Sequence, residues 1–378
     1  MNIPCDLKKF YIFEEIKLRL MTYIALPDES KTRRLVFYLA MEEYVAAHLD
    51  RLLGERNQKE AFFLWQVEPT VIFGRNQVME AEVNIDYCKQ NGINLFRRKS
   101  GGGCVYSDRG NIMLSYITDS TSVGFTFEKF LQRVALTLRH AGLNASTSGR
   151  NDMLVDGKKV SGNAFFLLPK SSIVHGTMLF DSDFNALSKA ITPSQAKIES
   201  KGVDSVRRHV TNLRPYFMAA HTQWQRALSD INMFKHFLVK EFCGERNEFD
   251  GDERIDYITL TSKDIEEIEK IEATYLEPAF LEGRNHRYCA IRNCRIEGIG
   301  EFEVKYQMSG GQIEECFVSG DYFSIREGLE QCLTQALKGC GDNYEEVSGA
   351  LRDVDLGQYV SGLTSEILTE NLYKQNNQ

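Results

Sequence analysis

Apolar residues at Phe37, Met41, Tyr44, Val45, Leu49 and Leu52 recur at helical spacing and stop at Gly54, a residue suited to capping, which predicts a first helix. Phe127, Phe130, Leu131, Val134 and Leu138 trace one face of a second helix that ends at Gly142. A third is expected from about Thr222 to Phe242, with Trp224, Leu228, Ile231, Leu238 and Phe242 on its buried side. Between the first two lie the β-rich runs AFFLWQV, TVIFG and INLF, punctuated by Pro69 and the stretch 74–77. Asp156-Gly157 separates two strand-like segments, MLV and KKVSGNAFF, and this dipeptide is a strong signal for a tight hairpin. Residues 244–256 are polar and highly charged and read as an exposed loop, with a helix expected across 262–273. Beyond a divide near residue 284, the alternating run Phe302–Tyr306, the glycines at 310 and 311 and CFV predict another hairpin, and 322–373 two or three helices.

The pattern implies an α+β protein: a large mixed-sheet domain over residues 1–284, with 1–30 as an N-terminal extension, and a smaller α+β unit over 285–378. A chain of 378 residues fits two units, because single domains run to ~100–200 residues. The net charge of -8 argues against a protein that binds nucleic acid over its whole surface. Nine cysteines, odd in number and without a close CxxC pair, suggest reduced thiols rather than a zinc site or a disulfide framework. Asp6, Lys8 and Lys9 interrupt the start where a signal peptide needs an apolar stretch. Nothing approaches the ~20 apolar residues that span a bilayer, so a cytoplasmic protein with no membrane partner is expected.

Candidate chemistry concentrates at RRKSGGGCVYSDRGN, residues 97–111. Gly101, Gly102 and Gly103 can take positive φ angles and admit a phosphate or carboxylate to the main chain, while Arg98 supplies a planar fork of donors. The same glycines also suit a tight turn with basic flanks. The loop is not GxxxxGK[ST], and strand rather than helix follows it, which excludes a P-loop or dinucleotide fingerprint. The second feature is GRNDMLVDGKKVSGNAF, residues 149–165, where strand alternation sends Lys159 and Ser161 to one face and Lys158 and Val160 to the other. A lysine beside a glycine loop could neutralise a carboxylate and a phosphate as they react, though a solvated hairpin lysine fits the pattern too. The histidines lack HExxH or paired spacing and no GxSxG is present, which disfavours zinc or triad hydrolysis and assigns no metal. His175, before Gly176, suits a pocket donor or a satisfied core histidine.

Taken in order, GRNQ and EVN, RRKSGGGCVYSDRGN, GRNDMLV and KKVSGNAF, HGTMLF and SVRRHVTNL resemble the lipoate–protein ligase A family of the biotin/lipoate ligase superfamily. The resemblance is strong over roughly 33–215 and looser in the tail, where GIGEFEV, GGQI and SGDYF look like that family's C-terminal accessory domain. It implies an ATP-dependent lipoate–protein ligase. Lipoate and Mg-ATP would give lipoyl-adenylate and pyrophosphate, and a lysine of an acceptor domain would then take the lipoyl group as an amide. The implied cofactors are ATP and Mg2+, with lipoate as substrate. The implied partners are lipoyl acceptor domains of 2-oxoacid dehydrogenase E2 subunits and glycine cleavage H protein, with no nucleic acid. By position, the family's nucleotide contacts fall on Arg98, Gly103, Cys104, Val105 and Tyr106, and its lysine, catalytic and touching both acyl carboxyl and phosphate, on Lys159. Lipoate contacts fall on Lys159, Gly102 and His175, with Arg75, Asn111 and Asp152 as further carry-overs.

Three departures stand out: Cys104 where the family usually has alanine, Ser107-Asp108 where it has His-Asp, and His209 where arginine usually precedes VTN. If the missing histidine helps to hold phosphates, adenylation would be slow, which motivates an alternative: a lipoyl or octanoyl transferase that uses preformed acyl-adenylate. A non-catalytic relative that binds ligand without turnover is a third reading. Octanoyl transferases of the superfamily need a cysteine nucleophile near the GRND region, and residues 145–165 contain none.

Overall fold

The computed structural model describes residues 21–29, 31–56, 59–148, 151–191, 210–246, 253–282, 290–309 and 311–373. Gly149, Arg150, the run 200–209 with His209, Gly310 and the expected divide near 284 lie outside the described residues.

Strands β1 (Thr22–Ala25), β2 (Glu60–Trp65), β3 (Thr70–Phe73), β4 (Asn94–Arg97), β5 (Val105–Ser107) and β6 (Asn111–Thr118) come from the first third of the chain. They are followed by β7 (Ala145–Ser148), β8 (Asp152–Val155), β9 (Lys158–Leu168) and β10 (Ser171–Leu179). Then come β11 (Gly244–Arg246), β12 (Glu253–Ile255), β13 (Tyr257–Thr259), β14 (Ala290–Ile296), β15 (Gly300–Ser309) and β16 (Gln312–Ser319). Numbering only helices of eight or more residues, α1 is Leu35–Ala47, α2 Val123–His140, α3 Ile231–Cys243, α4 Ser262–Tyr275, α5 Leu329–Leu337, α6 Tyr344–Leu351 and α7 Ser365–Tyr373.

An eight-stranded sheet in the order β13-β1-β2-β6-β10-β9-β8-β7 forms the frame. It is parallel at β13-β1-β2 and antiparallel onward, the mixed sheet the pattern predicts. Strands β2 and β6 are buried along their whole length because helices cover both faces. Phe62, Leu64, Ile112, Leu114 and Tyr116 pack with α2 and α3, while the alternate residues Phe63, Trp65, Met113 and Ile117 pack with α1 and α4. A small sheet, β4-β3-β5, flanks the frame and carries the glycine loop between β4 and β5. The sheet β14-β15-β16 and helices α5, α6 and α7 enclose an apolar cluster of their own.

Two helical readings and one loop reading need correction. The first helix breaks at His48, whose ring Nδ1 lies 2.9 Å from the Tyr44 carbonyl, and a short second helix runs to Gly54. The stretch expected as one helix from Thr222 is two, because the Asp230 carboxylate caps a new start by accepting from the amides of Asn232 and Met233. Trp224, expected on the buried side, is half-exposed as a result. The loop expected over 244–256 contains the paired strands β11 and β12. The Asp156-Gly157 turn matches its reading, with φ of 48° and 76° at the two residues, as a type I′ hairpin demands.

Helices α1 and α4 are tied through Asp264. Its carboxylate accepts from Tyr44 Oη at 2.5 Å, Arg51 Nη2 at 2.8 Å, and the Thr261 amide and hydroxyl, both at 2.7 Å. Burial alone would raise this carboxyl, but the hydrogen bonds from Tyr44, Thr261 and Arg51 outweigh it and hold its pKa well below the ordinary range. A depressed folded-state pKa adds stability that is present above the unfolded value of about 3.9 and fades as the pH falls below it. Asp264→Asn should therefore lower stability by roughly 2 kcal/mol at pH 7. The gap to wild type should narrow in urea titrations carried to pH 3, and a gap independent of pH would contradict the assignment.

Candidate functional site

The basic residues that flank the three glycines are turned inward. Arg97 lies with its guanidinium 4.6 Å from the Phe73 ring centre and donates to the carbonyls of Gln77 at 2.6 Å and Arg75 at 3.0 Å. Lys99 donates to Glu43 at 2.8 Å. Arg98 is 4% exposed, and its Nη2 donates to the carbonyls of Gly101 at 2.7 Å and Gly103 at 2.8 Å, with Nε reaching the Ser100 hydroxyl at 3.1 Å. Burial pushes its pKa down to about 10, which leaves the guanidinium charged at neutral pH. In a planar trans peptide the N–H points opposite to the preceding carbonyl. With the carbonyls of Gly101 and Gly103 drawn to Arg98, the amides of Gly102 and Cys104 therefore face away from it. The loop presents donors, as anion binding requires, and Gly102 adopts the expected positive φ, 91°.

An acceptor already meets one of those amides. Gly102 N–H donates to the Tyr322 carbonyl at 3.1 Å, and the segment 320–324 lies along the loop. Gly320 N–H donates to Asn76 O at 2.8 Å, the Asn76 amide reaches Ser324 Oγ at 3.2 Å, and Arg75 pairs with Glu327 at 2.7 Å. The approach of Tyr322 requires Gly101. A Cβ on Gly101 would come within 2.2 Å of Tyr322 O, one on Gly103 within 2.8 Å of the Asp321 carboxylate, and one on Gly74 within 2.1 Å of Gly102 O.

Lys159 lies two strands from β6, at the start of β9. A register shift opposite Met153-Leu154 pairs Leu154 with Lys159 and Met153 with Ser161, leaving Val160 as the extra residue of a bulge. Simple alternation therefore fails here: Ser161 is fully buried whereas Lys159 is half-buried. The Lys159 ammonium sits 2.7 Å from Asp152 Oδ1 and folds back beside Gly162, where a Cβ would lie 3.1 Å from Nζ. Its backbone carbonyl accepts from Thr211 N–H at 2.9 Å, which fastens the VTN segment to the same strand.

His175 occupies the middle of β10 and joins the loop to the sheet. Its Nε2 lies 2.8 Å from Ser100 Oγ and its Nδ1 2.8 Å from Glu42 Oε2. Glu42 Oε1 also accepts from Ser115 Oγ at 2.5 Å, and Ser115 accepts from Trp65 Nε1 at 2.8 Å. Glu42, Ser100, Ser115 and Trp65 escaped the sequence reading. The one legible signal was the glutamate pair Glu42-Glu43 inside LVFYLAMEEYVAA, a run otherwise too apolar for a solvated face.

The remaining carry-overs are spread around this centre. Cys104 and Val105 are half-buried, while the Tyr106 ring packs in the small core beside Val71 and Phe73, where burial raises its phenol pKa above the usual value. Asn111 Oδ1 accepts from Met178 N–H at 3.0 Å and its amide donates to Ser107 Oγ at 3.3 Å. Ser107 is fully buried, and Asp108 accepts from the amides of Gly110 and Asp183. The arrangement thus brings Arg75, Arg98, Gly102, Gly103 and His175 around one loop and pairs Lys159 of β9 with Asp152 of β8.

Residues 35–243 match the lipoyl protein ligase A/B catalytic domain model, and residues 285–372 match the bacterial lipoate protein ligase C-terminus. Lipoate–protein ligase 1 of Staphylococcus aureus is 34% identical over 324 residues, covering 85% of this chain and 91% of that protein. Lipoate-protein ligase LplJ of Bacillus subtilis is 31% identical over 338 residues, covering 89% and 96%. Among solved structures, P. falciparum LipL1 in complex with lipoate superposes with a TM-score of 0.67 at 21% identity, covering 94% of this chain and 98% of that one. Lipoate-protein ligase A bound with ATP gives 0.52 at 23%, covering 70% and 99%. These two likenesses bear on the fold.

Gly101→Ala is expected to force segment 320–324 off the loop, because the new methyl would overlap the Tyr322 carbonyl. Amide hydrogen exchange at Gly102 and Gly320 should accelerate at least several-fold. Unchanged protection at both amides would contradict the close approach.

Proposed function

The chain belongs to the lipoyl protein ligase A/B family, and from that premise we propose that it is an ATP-dependent lipoate–protein ligase. The observation that carries this reading is the match to both family models, in order, over most of the chain. In the first half-reaction a lipoate carboxylate oxygen attacks the α-phosphorus of ATP. A P–O bond to the carboxylate forms, the bond to the β-phosphate bridge breaks, and pyrophosphate leaves. In the second, an acceptor lysine amine attacks the acyl carbon, an amide forms, AMP leaves with the bonding electrons, and the amine loses its proton.

Two anions meet in the first step, so donors fixed beforehand lower the barrier without a covalent group. The amides of Gly102 and Cys104 would receive the phosphate, and Lys159 would leave Asp152 to lie between acyl carboxyl and α-phosphate. Arg98 would act through the loop it holds. Mg2+ would enter as Mg-ATP, a hard cation ligated chiefly by phosphate oxygens and one or two carboxylates. The Asp152 carboxylate at Lys159 is an oxygen donor of suitable chemistry beside that anion-binding group. The segment 320–324 would have to withdraw before phosphate reaches Gly102, since Tyr322 O takes that amide. Residues 1–284 would form the catalytic domain and 285–378 the accessory one. The acceptors would be lipoyl domains of 2-oxoacid dehydrogenase E2 subunits and glycine cleavage H protein, met in the cytoplasm. Among the described residues no helix is long and apolar enough to cross a membrane.

One observation favours the second reading, transfer from preformed adenylate. Ser107 stands where the family has histidine, and its hydroxyl is sealed against Met113 and Asn111.

Lipoate-dependent ATP–pyrophosphate exchange should be measurable, and Lys159→Ala should reduce it by about 10²–10³, the cost of removing one preorganised donor to developing charge. Exchange unchanged in that variant would remove Lys159 from the chemistry. Acceptor modification from lipoyl-adenylate but not from ATP and lipoate would select the second reading.

A further inference from the structure

The chain of contacts beneath the glycine loop has a defined direction. The Trp65 indole and the Arg98 Nε–H can only donate. Ser115, having accepted from Trp65, spends its own proton on Glu42 Oε1. Ser100, having accepted from Arg98 at 3.1 Å, has its proton left for His175 Nε2 at 2.8 Å. His175 then donates from Nδ1 to Glu42 Oε2 at 2.8 Å. The wire runs from guanidinium to carboxylate as Arg98, Ser100, His175, Glu42. Both ends are enclosed, with Arg98 4% and Glu42 2% exposed, and Ser100 and His175 lie between them.

The wire ends at one point of the loop. Ser100 precedes the three glycines, its side chain is held by Arg98 and His175, and its carbonyl accepts from Arg75 N–H at 3.0 Å. The spacing of Ser100, His175 and Glu42 matches that of a nucleophilic serine with its base and orienting carboxylate. Ser100, however, is 3% exposed, and its lone pair already takes the Arg98 N–H, so its position suits holding the loop rather than attacking an acyl group.

We propose that Glu42, His175 and Ser100 are positioning residues for adenylate formation, a buried relay that fixes the glycine loop from helix α1 through the centre of β10. The proposal rests on reading residues 98–104 as the phosphate-binding loop. Glu42 acts on the reaction only through His175, and His175 only through Ser100. The three therefore function as one unit whose loss at any member releases the loop.

The full-length chain carrying Ser100→Ala, Glu42→Gln or both is assayed for lipoate-dependent ATP–pyrophosphate exchange beside thermal melting. Each single variant should lower kcat for exchange by about tenfold, the scale of one lost hydrogen bond to a charged network. The double variant should be no slower than the slower single, because a relay broken once is already broken. Losses that multiply in the double, or wild-type exchange in Ser100→Ala, would overturn the relay. If Glu42→Gln melts below the assay temperature, His175→Gln replaces it in the cycle with the same two outcomes. A wild-type protein without any exchange would instead sink the ligase reading.

Discussion

A guanidinium taken out of water and spent on the carbonyl oxygens of its own loop is the constraint on which the site depends. Arg98 could not remain charged in that position without acceptors on several sides, and the carbonyls of Gly101 and Gly103 supply them. The geometry follows from peptide planarity: carbonyls drawn inward leave amides turned outward. The outward facing of the loop amides is thus a consequence of how a buried cation is satisfied. The same cation feeds the wire through Ser100 and His175 to Glu42, so one charge organises both the loop and the contact between the small sheet and the large one.

The glycines answer to a second demand. Gly74 must let Gly102 O approach, and Gly101 must let Tyr322 O approach. Absence of side chains therefore serves close packing of two chain segments as well as a ligand. Both uses call on the same surface, because the Tyr322 carbonyl bonds to the Gly102 amide that a phosphate would take. The pairs Arg75–Glu327 and Asn76–Ser324 join the same two segments.

Local rules made part of this architecture legible. Asp156-Gly157 announced its hairpin because both residues must take positive φ, and the alternation of β15 and the buried face of α2 followed from period alone. What failed was decided by single side chains competing with the backbone. His48 and Asp230 interrupt helices by bonding to helix ends, which hydrophobic spacing does not report. The bulge at Val160 breaks the alternation on which the facing of Lys159 was argued. Within the site, the glycine triplet, Arg98 and Lys159 stood out in the sequence as candidates, but the direction in which Arg98 points did not, since a basic flank on a loop looks the same whether it faces solvent or its own carbonyls. Glu42 was hidden for the opposite reason. Its partners Ser115 and His175 come from distant stretches that only the sheet brings together.

The most direct test is a crystal structure with a non-hydrolysable lipoyl-adenylate analogue. The account predicts the adenylate phosphate within ~3 Å of the Gly102 or Cys104 amide and of Lys159 Nζ, with Arg98 still donating to the carbonyls of Gly101 and Gly103 and Tyr322 withdrawn. A structure in which Arg98 has left those carbonyls to bind the phosphate itself, or in which the adenylate lies away from the loop, would contradict it.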